Sequence, residues 1–88
     1  MSENMPEGRP ENAPAVCTLI EQIAKWIVDE PDQVFVDYLD DSVIELEVAE
    51  GDVGKVIGRQ GRTVRAMRTL LSAAGTRARK RYTLDVID

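Results

Sequence analysis

Residues 43–49 put Ile44, Leu46 and Val48 on one side of an extended chain and Glu45 and Glu47 on the other. That two-residue period belongs to a strand with one buried face. Just before it, residues 33–39 are rich in Val, Phe and Tyr, and only Asp40, Asp41 and Ser42 separate the two runs. A connection so short makes the strands antiparallel neighbours. The two glutamates point to water. Nothing near them supplies a nucleophile, a metal-binding set or a titratable group of different character, so they form a solvated face and not a catalytic pair.

At 88 residues the chain makes one small domain, and a fold of this size buries only about 60% of the surface its unfolded form exposes. Residues 1–13 hold two of the four prolines, a glycine and three glutamates, with no aromatic or β-branched residue, and read as a disordered tail before a domain at 14–88. Pro14 suits the first turn of a helix, with Asn12 or Ala13 near its cap. Val16, Leu19, Ile20, Ile23 and Ile27 then recur at helical spacing as a core stripe. Trp26 flanks that stripe, either partly buried or at an edge that meets a partner subunit. Asp29-Glu30-Pro31-Asp32 stops the helix, because proline disfavours the helical conformation in the residue before it. Cys17 is the single cysteine, and its place in this helix marks it as a packing residue. With no histidine and no second cysteine, neither an internal disulfide nor a zinc site of ordinary ligand type is expected. No apolar run nears the roughly 18 residues of a membrane span, and the amino terminus lacks a signal core. A cytoplasmic protein without a membrane partner is expected.

The second half of the chain has a different character. Residues 1–50 carry two basic residues, Arg9 and Lys25, against 13 acidic ones, a balance of −11; residues 51–88 carry nine basic against three acidic, a balance of +6. Between Val53 and Leu84 no Asp or Glu occurs, while Lys55, Arg59, Arg62, Arg65, Arg68, Arg77, Arg79, Lys80 and Arg81 all do. A cluster of this kind is the electrostatic footprint of a nucleic-acid surface, hidden here by a net charge of −5. The acidic half need not oppose binding, because exposed charges beyond a Debye length of about 8 Å are largely screened at physiological salt.

Within the basic segment, Gly51-Asp52 opens a short helix through about Ile57, and Gly58-Arg59-Gln60-Gly61 follows as a loop. A longer helix occupies residues 62–74, with Gly75 as its stop. Two glycines permit a tight turn and close approach by a bulky partner. If Arg62 begins a helix, the free amides of its first turn face the loop and make an anion site, for which phosphate is the obvious occupant. The plainer alternative is a turn between two helices. Val64, Met67, Leu70, Leu71 and Ala74 share one side of the long helix, with Arg62, Arg65 and Arg68 nearly opposite. No acidic residue stands three or four positions from those arginines, so they form an exposed, unpaired ridge. Residues 76–80 make a basic loop, and residues 82–87 a last strand with Tyr82, Leu84 and Val86 alternating against Thr83, Asp85 and Ile87. Two helices between the second and third strands permit a parallel crossover, giving an α+β fold with a three-stranded mixed sheet and three helices on one face.

The run Val56-Ile57-Gly58-Arg59-Gln60-Gly61 between two helices, within an α-β-β-α-α-β order, resembles the type II K-homology (KH) domain. The resemblance covers residues 14–88, and residues 54–71, GKVIGRQGRTVRAMRTLL, are similar to the small stand-alone bacterial KH proteins of the KhpA family. It implies an RNA-binding protein, a post-transcriptional regulator or RNA chaperone, whose groove clamps about four nucleotides of single-stranded RNA. By the same resemblance Gly58, Arg59, Gln60 and Gly61 hold the backbone, Val53, Ile57, Val64 and Val48 line or support an apolar floor, and Lys55 and Arg62 flank the loop. Arg65 and Arg68, with Arg77, Arg79 and Lys80, are added from charge and periodicity. Few aromatics are available for stacking, so bases should be met by apolar contact and hydrogen bonds at their edges. The family also implies a homodimer, or a heterodimer with a larger KH protein of the KhpB or Jag type, and a protein-interaction role on which RNA binding depends is the rival reading. Neither a cofactor nor a small-molecule substrate is implied, and the chain is not expected to be an enzyme. Gly51-Asp52-Val53-Gly54-Lys55 does not make a nucleotide-binding loop, which needs four residues between its glycines and Ser or Thr after the lysine.

Overall fold

A computed structural model describes residues 14–40 and 42–87. The disordered tail expected for residues 1–13 lies outside the described residues. Pro14 stands in extended conformation and starts helix α1, Ala15–Ile27, its carbonyl accepting the Cys17 N–H at 3.0 Å. A short 3-10 turn at Pro31–Gln33 delays the first strand, so β1 is Phe35–Leu39 and not the whole of residues 33–39. Asp40 takes a left-handed conformation, φ 50°, which aspartate tolerates in turns. Strand β2, Val43–Glu47, follows. A second 3-10 turn, Glu50–Asp52, leads into the five-residue α2, Val53–Ile57. After the glycine loop comes α3, Arg62–Ala78, and finally β3, Thr83–Ile87.

The sheet order is β1-β2-β3, with β1 antiparallel to β2 and β3 parallel to it. The hairpin and the crossover are both as the alternation and spacing predict. Register brings Val36, Leu46 and Val86 into one inward row and Tyr38, Ile44 and Leu84 into the next. Over these rows the three helices cover a single face. Cys17, Ile20 and Ala24 of α1, Val56 of α2, and Val64, Met67 and Leu71 of α3 complete the buried core. On the opposite face the register aligns Asp37, Glu45 and Asp85 across all three strands.

Three expectations need correction. The buried seam of α1 is Cys17, Ile20 and Ala24, continued by Val28, whereas Leu19 is 44% and Trp26 79% exposed. The apolar stripe is wider than the arc that touches the sheet, and Trp26, two residues beyond Ala24, lies some 200° round the helix from it. Leu70, assigned to the core, is exposed for the same reason. Helix α3 does not stop at Gly75. It continues to Ala78, and the left-handed cap is Arg79, φ 57° and ψ 41°. Gly75 is buried inside the helix because the Lys80 backbone folds back onto it: the Lys80 N–H donates to the Gly75 carbonyl at 2.8 Å, and a Cβ at Gly75 would collide with the Lys80 carbonyl oxygen. The basic loop therefore shortens, since residues 76–78 are helical.

Candidate nucleic-acid interface

Helix α2 ends on Gly58, at φ 81° and ψ 169°, a conformation essentially reserved for glycine. A side chain there would also run into Thr63 Oγ1, because the loop folds back over the first turn of α3. Gln60 and Gly61 are both left-handed, at φ 56° and φ 76°. The Gly61 N–H closes the turn on the Gly58 carbonyl at 3.0 Å. Two glycines thus serve different ends, Gly58 for conformation and space, Gly61 for conformation alone, with nothing within 4 Å of a Cβ built on it. Gly61 is also the N-cap of α3 and provides no side-chain cap. The Arg62 N–H is spent on the Arg59 carbonyl, and the amides that follow it in the first turn of this 17-residue helix lie beside the loop, where the helix dipole favours an anion.

Arg59 sits at the loop tip and Arg62 opens α3, both exposed. Among the described residues neither guanidinium has an ion-pair or hydrogen-bond partner. The ridge expected to run on through Arg65 and Arg68 is not unpaired. Arg65 Nη2 donates to the Gln60 carbonyl at 2.9 Å, bracing the loop tip, and Arg68 Nη2 donates to the Leu84 carbonyl at 3.0 Å, tying α3 to β3. Both bonds satisfy carbonyls that a purely acidic search for partners overlooks.

Lys55 is likewise committed. Its Nζ lies 3.2 Å from Asp29 and 3.6 Å from Asp52, and the hydrogen bond and charge of Asp29, outweighing a small loss from desolvation, raise its pKa above the ordinary 10.5. Asp52 is 3% exposed, and its two carboxylate oxygens accept the Asp29 N–H at 3.2 Å and the Glu30 N–H at 3.1 Å. Sequence reading missed this residue. Its position one before α2 was visible, but the amides it serves are 22 and 23 residues away.

Of the apolar floor, Val53 and Ile57 are partly exposed and packed on the core, and Val64 and Val48 are buried beneath. The first two can line a groove beside the loop; the last two support it. Arg77, Arg79 and Lys80 lie at the other end of α3, about 25 Å from Arg62 at roughly 1.5 Å per helical residue. There, together with Arg81 and Tyr82, Arg79 and Lys80 border a separate concavity of about 590 Å³.

A glycine-bounded loop with inward amides, free cations and an apolar margin can hold phosphate oxygens while leaving bases to meet aliphatic side chains. The family model described as "KhpA/KhpB, KH domain" matches residues 18–86. The chain is 50% identical over 74 residues to a protein of Halalkalibacterium halodurans named RNA-binding protein KhpA, covering 81% of this chain and 97% of that one. Proteins of the same name from Treponema pallidum and Caldanaerobacter subterraneus are 47% and 46% identical, over 80% and 78% of this chain and 91% and 96% of theirs. No solved structure gives a significant match. These relatives are named for binding and not for catalysis. With a GxxG turn between α2 and α3, the α-β-β-α-α-β order and a family match across nearly the whole described domain, the chain belongs to the KhpA/KhpB KH-domain family.

Proposed function

We propose that this protein binds single-stranded RNA, gripping about four nucleotides, and acts as a cytoplasmic post-transcriptional regulator or RNA chaperone. One observation carries the reading: a turn with three positive-φ residues, Gly58, Gln60 and Gly61, presents the N-terminus of α3, which has no side-chain cap, between Arg59 and Arg62, cations without a partner among the described residues. The relatives named for RNA binding support it. Gly58 to Gly61 take the backbone, Arg62 adds charge, and Val53 and Ile57 meet the bases. Arg65 acts through the Gln60 carbonyl as a positioning residue. Lys55, held by two carboxylates, contributes mainly by fixing α2.

The test is the double variant Arg59→Asp, Gln60→Asp. Both side chains are exposed, so the melting temperature stays nearly constant while affinity for a short unstructured RNA, read by fluorescence anisotropy, falls at least about tenfold through lost attraction and added repulsion. Undiminished affinity in the folded variant would remove the loop from the site.

A second reading, dimerisation with a second copy or a larger KH partner, is favoured by the exposed face of α1. Leu19 and Trp26 stand seven residues, two helical turns, apart on one line, both open to solvent. An apolar line of this kind is a natural subunit contact. Leu19→Glu with Trp26→Glu should give a folded monomer in light scattering where the parent chain is a dimer; equal masses for the two would dissociate α1 from assembly.

A further inference from the structure

The concavity at the C-terminal end of α3 has a composition that the loop site does not explain. Three successive cations, Arg79, Lys80 and Arg81, border it together with Tyr82, Ser72 and Thr76, with no acidic residue among the described ones. Its volume of about 590 Å³ falls in the range of roughly 300–1,000 Å³ that small-ligand sites occupy. The shape is built by the backbone. Left-handed Arg79 ends the helix abruptly, and the bare Gly75 lets the returning chain pack against α3. Tyr82 then lies close to the helix, its Cδ2 3.5 Å from where a Gly75 Cβ would stand. On another side its ring meets Tyr38 edge-on, centroids 6.4 Å apart at 60°. The ring is half-buried and oriented from two directions. The Ser72 hydroxyl has no partner among the described residues, while Thr76 Oγ1 is spent on the Ser72 carbonyl at 3.1 Å. The C-terminal end of a helix dipole repels anions, so an excess of cations here has to offset it before a phosphate can bind.

We propose that this pocket is a nucleotide subsite separate from the glycine loop, in which Tyr82 stacks a base and Arg79 and Arg81 hold the adjoining phosphate. An aromatic ring beside cations is the combination that binds single-stranded nucleic acid without regard to sequence. The inference rests on the RNA-binding reading for the source of the nucleotide. It extends the path of a bound strand along α3, about 25 Å beyond Arg62, a span of about seven nucleotides at the roughly 3.4 Å spacing of a stacked strand.

The test compares an octanucleotide RNA and free AMP on the full chain. Arg79→Asn with Arg81→Gln removes both cations, and asparagine tolerates the left-handed position; Tyr82→Leu removes the ring. Each variant is expected to bind the octamer at least about fivefold more weakly, the lower bound for losing one stacked base. The arginine pair should also flatten the salt dependence by about 1.4 log units per log unit, two contacts at roughly 0.7 each. In ¹H–¹⁵N spectra, resonances of Arg79 to Tyr82 should shift with the octamer even in the Arg59→Asp, Gln60→Asp variant. If the arginine pair binds the octamer like the parent while the loop variant does not, the subsite is overturned and the loop reading stands. If the parent binds no RNA, the loop reading fails, and AMP decides the pocket: shifts at Tyr82 with millimolar AMP assign it to free nucleotide, and their absence overturns it.

Discussion

At the scale of single residues the glycine loop divides its tasks unevenly. Gly58 combines φ 81° with the Thr63 hydroxyl standing where a Cβ would go, whereas Gly61 has only a left-handed conformation to maintain. Gly58→Ala should therefore cost about 2–3 kcal/mol of stability, from strain and collision together. Gly61→Asn should cost about 1 kcal/mol or less, since asparagine visits the left-handed region readily. Urea denaturation of the two variants measures the difference, and equal losses would mean that the Thr63 contact is not felt. Neither glycine announces its task in the sequence, where both are one letter in a four-residue pattern. Thr63 was invisible as a constraint because it acts only once α3 has folded back over the loop.

Between elements, the decisive contacts join parts far apart in the chain. Asp52 stands at the start of α2 and accepts two amides from the segment after α1. Asp52→Ala removes the buried acceptor of both amides, and a loss of about 1–3 kcal/mol in chemical denaturation is expected; a loss under 0.5, the usual scale of surface substitutions, would show that water replaces the carboxylate. Lys55 adds a pH dependence to the same junction. Its folded pKa is raised, so its contribution is complete below about 10.5 and fades only as pH climbs through the raised value. Strands, hairpin and crossover were legible because alternation and spacing are local. The burial arc of α1 was not, since five apolar positions fit a helix face wider than its contact. Gly75 was misread as a helix stop: a glycine chosen for a close approach and one chosen for a left-handed turn look alike in sequence. The partners of Arg65 and Arg68 escaped for a related reason, being backbone carbonyls that every residue type supplies.

Across the whole molecule, charge is sorted by face. The row Asp37, Glu45 and Asp85 puts three carboxylates on the open side of the sheet, between the exposed apolar residues Phe35, Leu39 and Ile87, while the acid-free stretch between Val53 and Leu84 supplies α2, α3 and the loop. On the proposed RNA-binding reading, a strand would be drawn to the helical side, and this charge distribution would orient its approach as well as strengthen it. With three or four phosphates neutralised at the loop, affinity should fall with salt at a log–log slope of about −2 to −3, using roughly −0.7 per contact on a single strand. Filter binding between 50 and 300 mM salt gives the slope, and a value near zero would exclude backbone contact as the source of affinity. The division was legible in the sequence as a charge count by halves. Its geometric basis was not, because the sheet register that aligns three carboxylates depends on pairing across the crossover.

The Arg68 bond to Leu84 lies on the free edge of the sheet. Thr83 directs its N–H at the Ser42 carbonyl of the neighbouring chain segment, 3.0 Å away, so the alternate residue Leu84 turns its carbonyl outward, along the rim of the sheet. That rim is where an unfolded or neighbouring polypeptide would stack to begin a fibril. A charged side chain reaching over from α3 occupies the acceptor and places a cation in the path of any strand that would dock there. One arginine, drawn from the helix that carries the glycine loop, thus fills an acceptor on the free edge of β3.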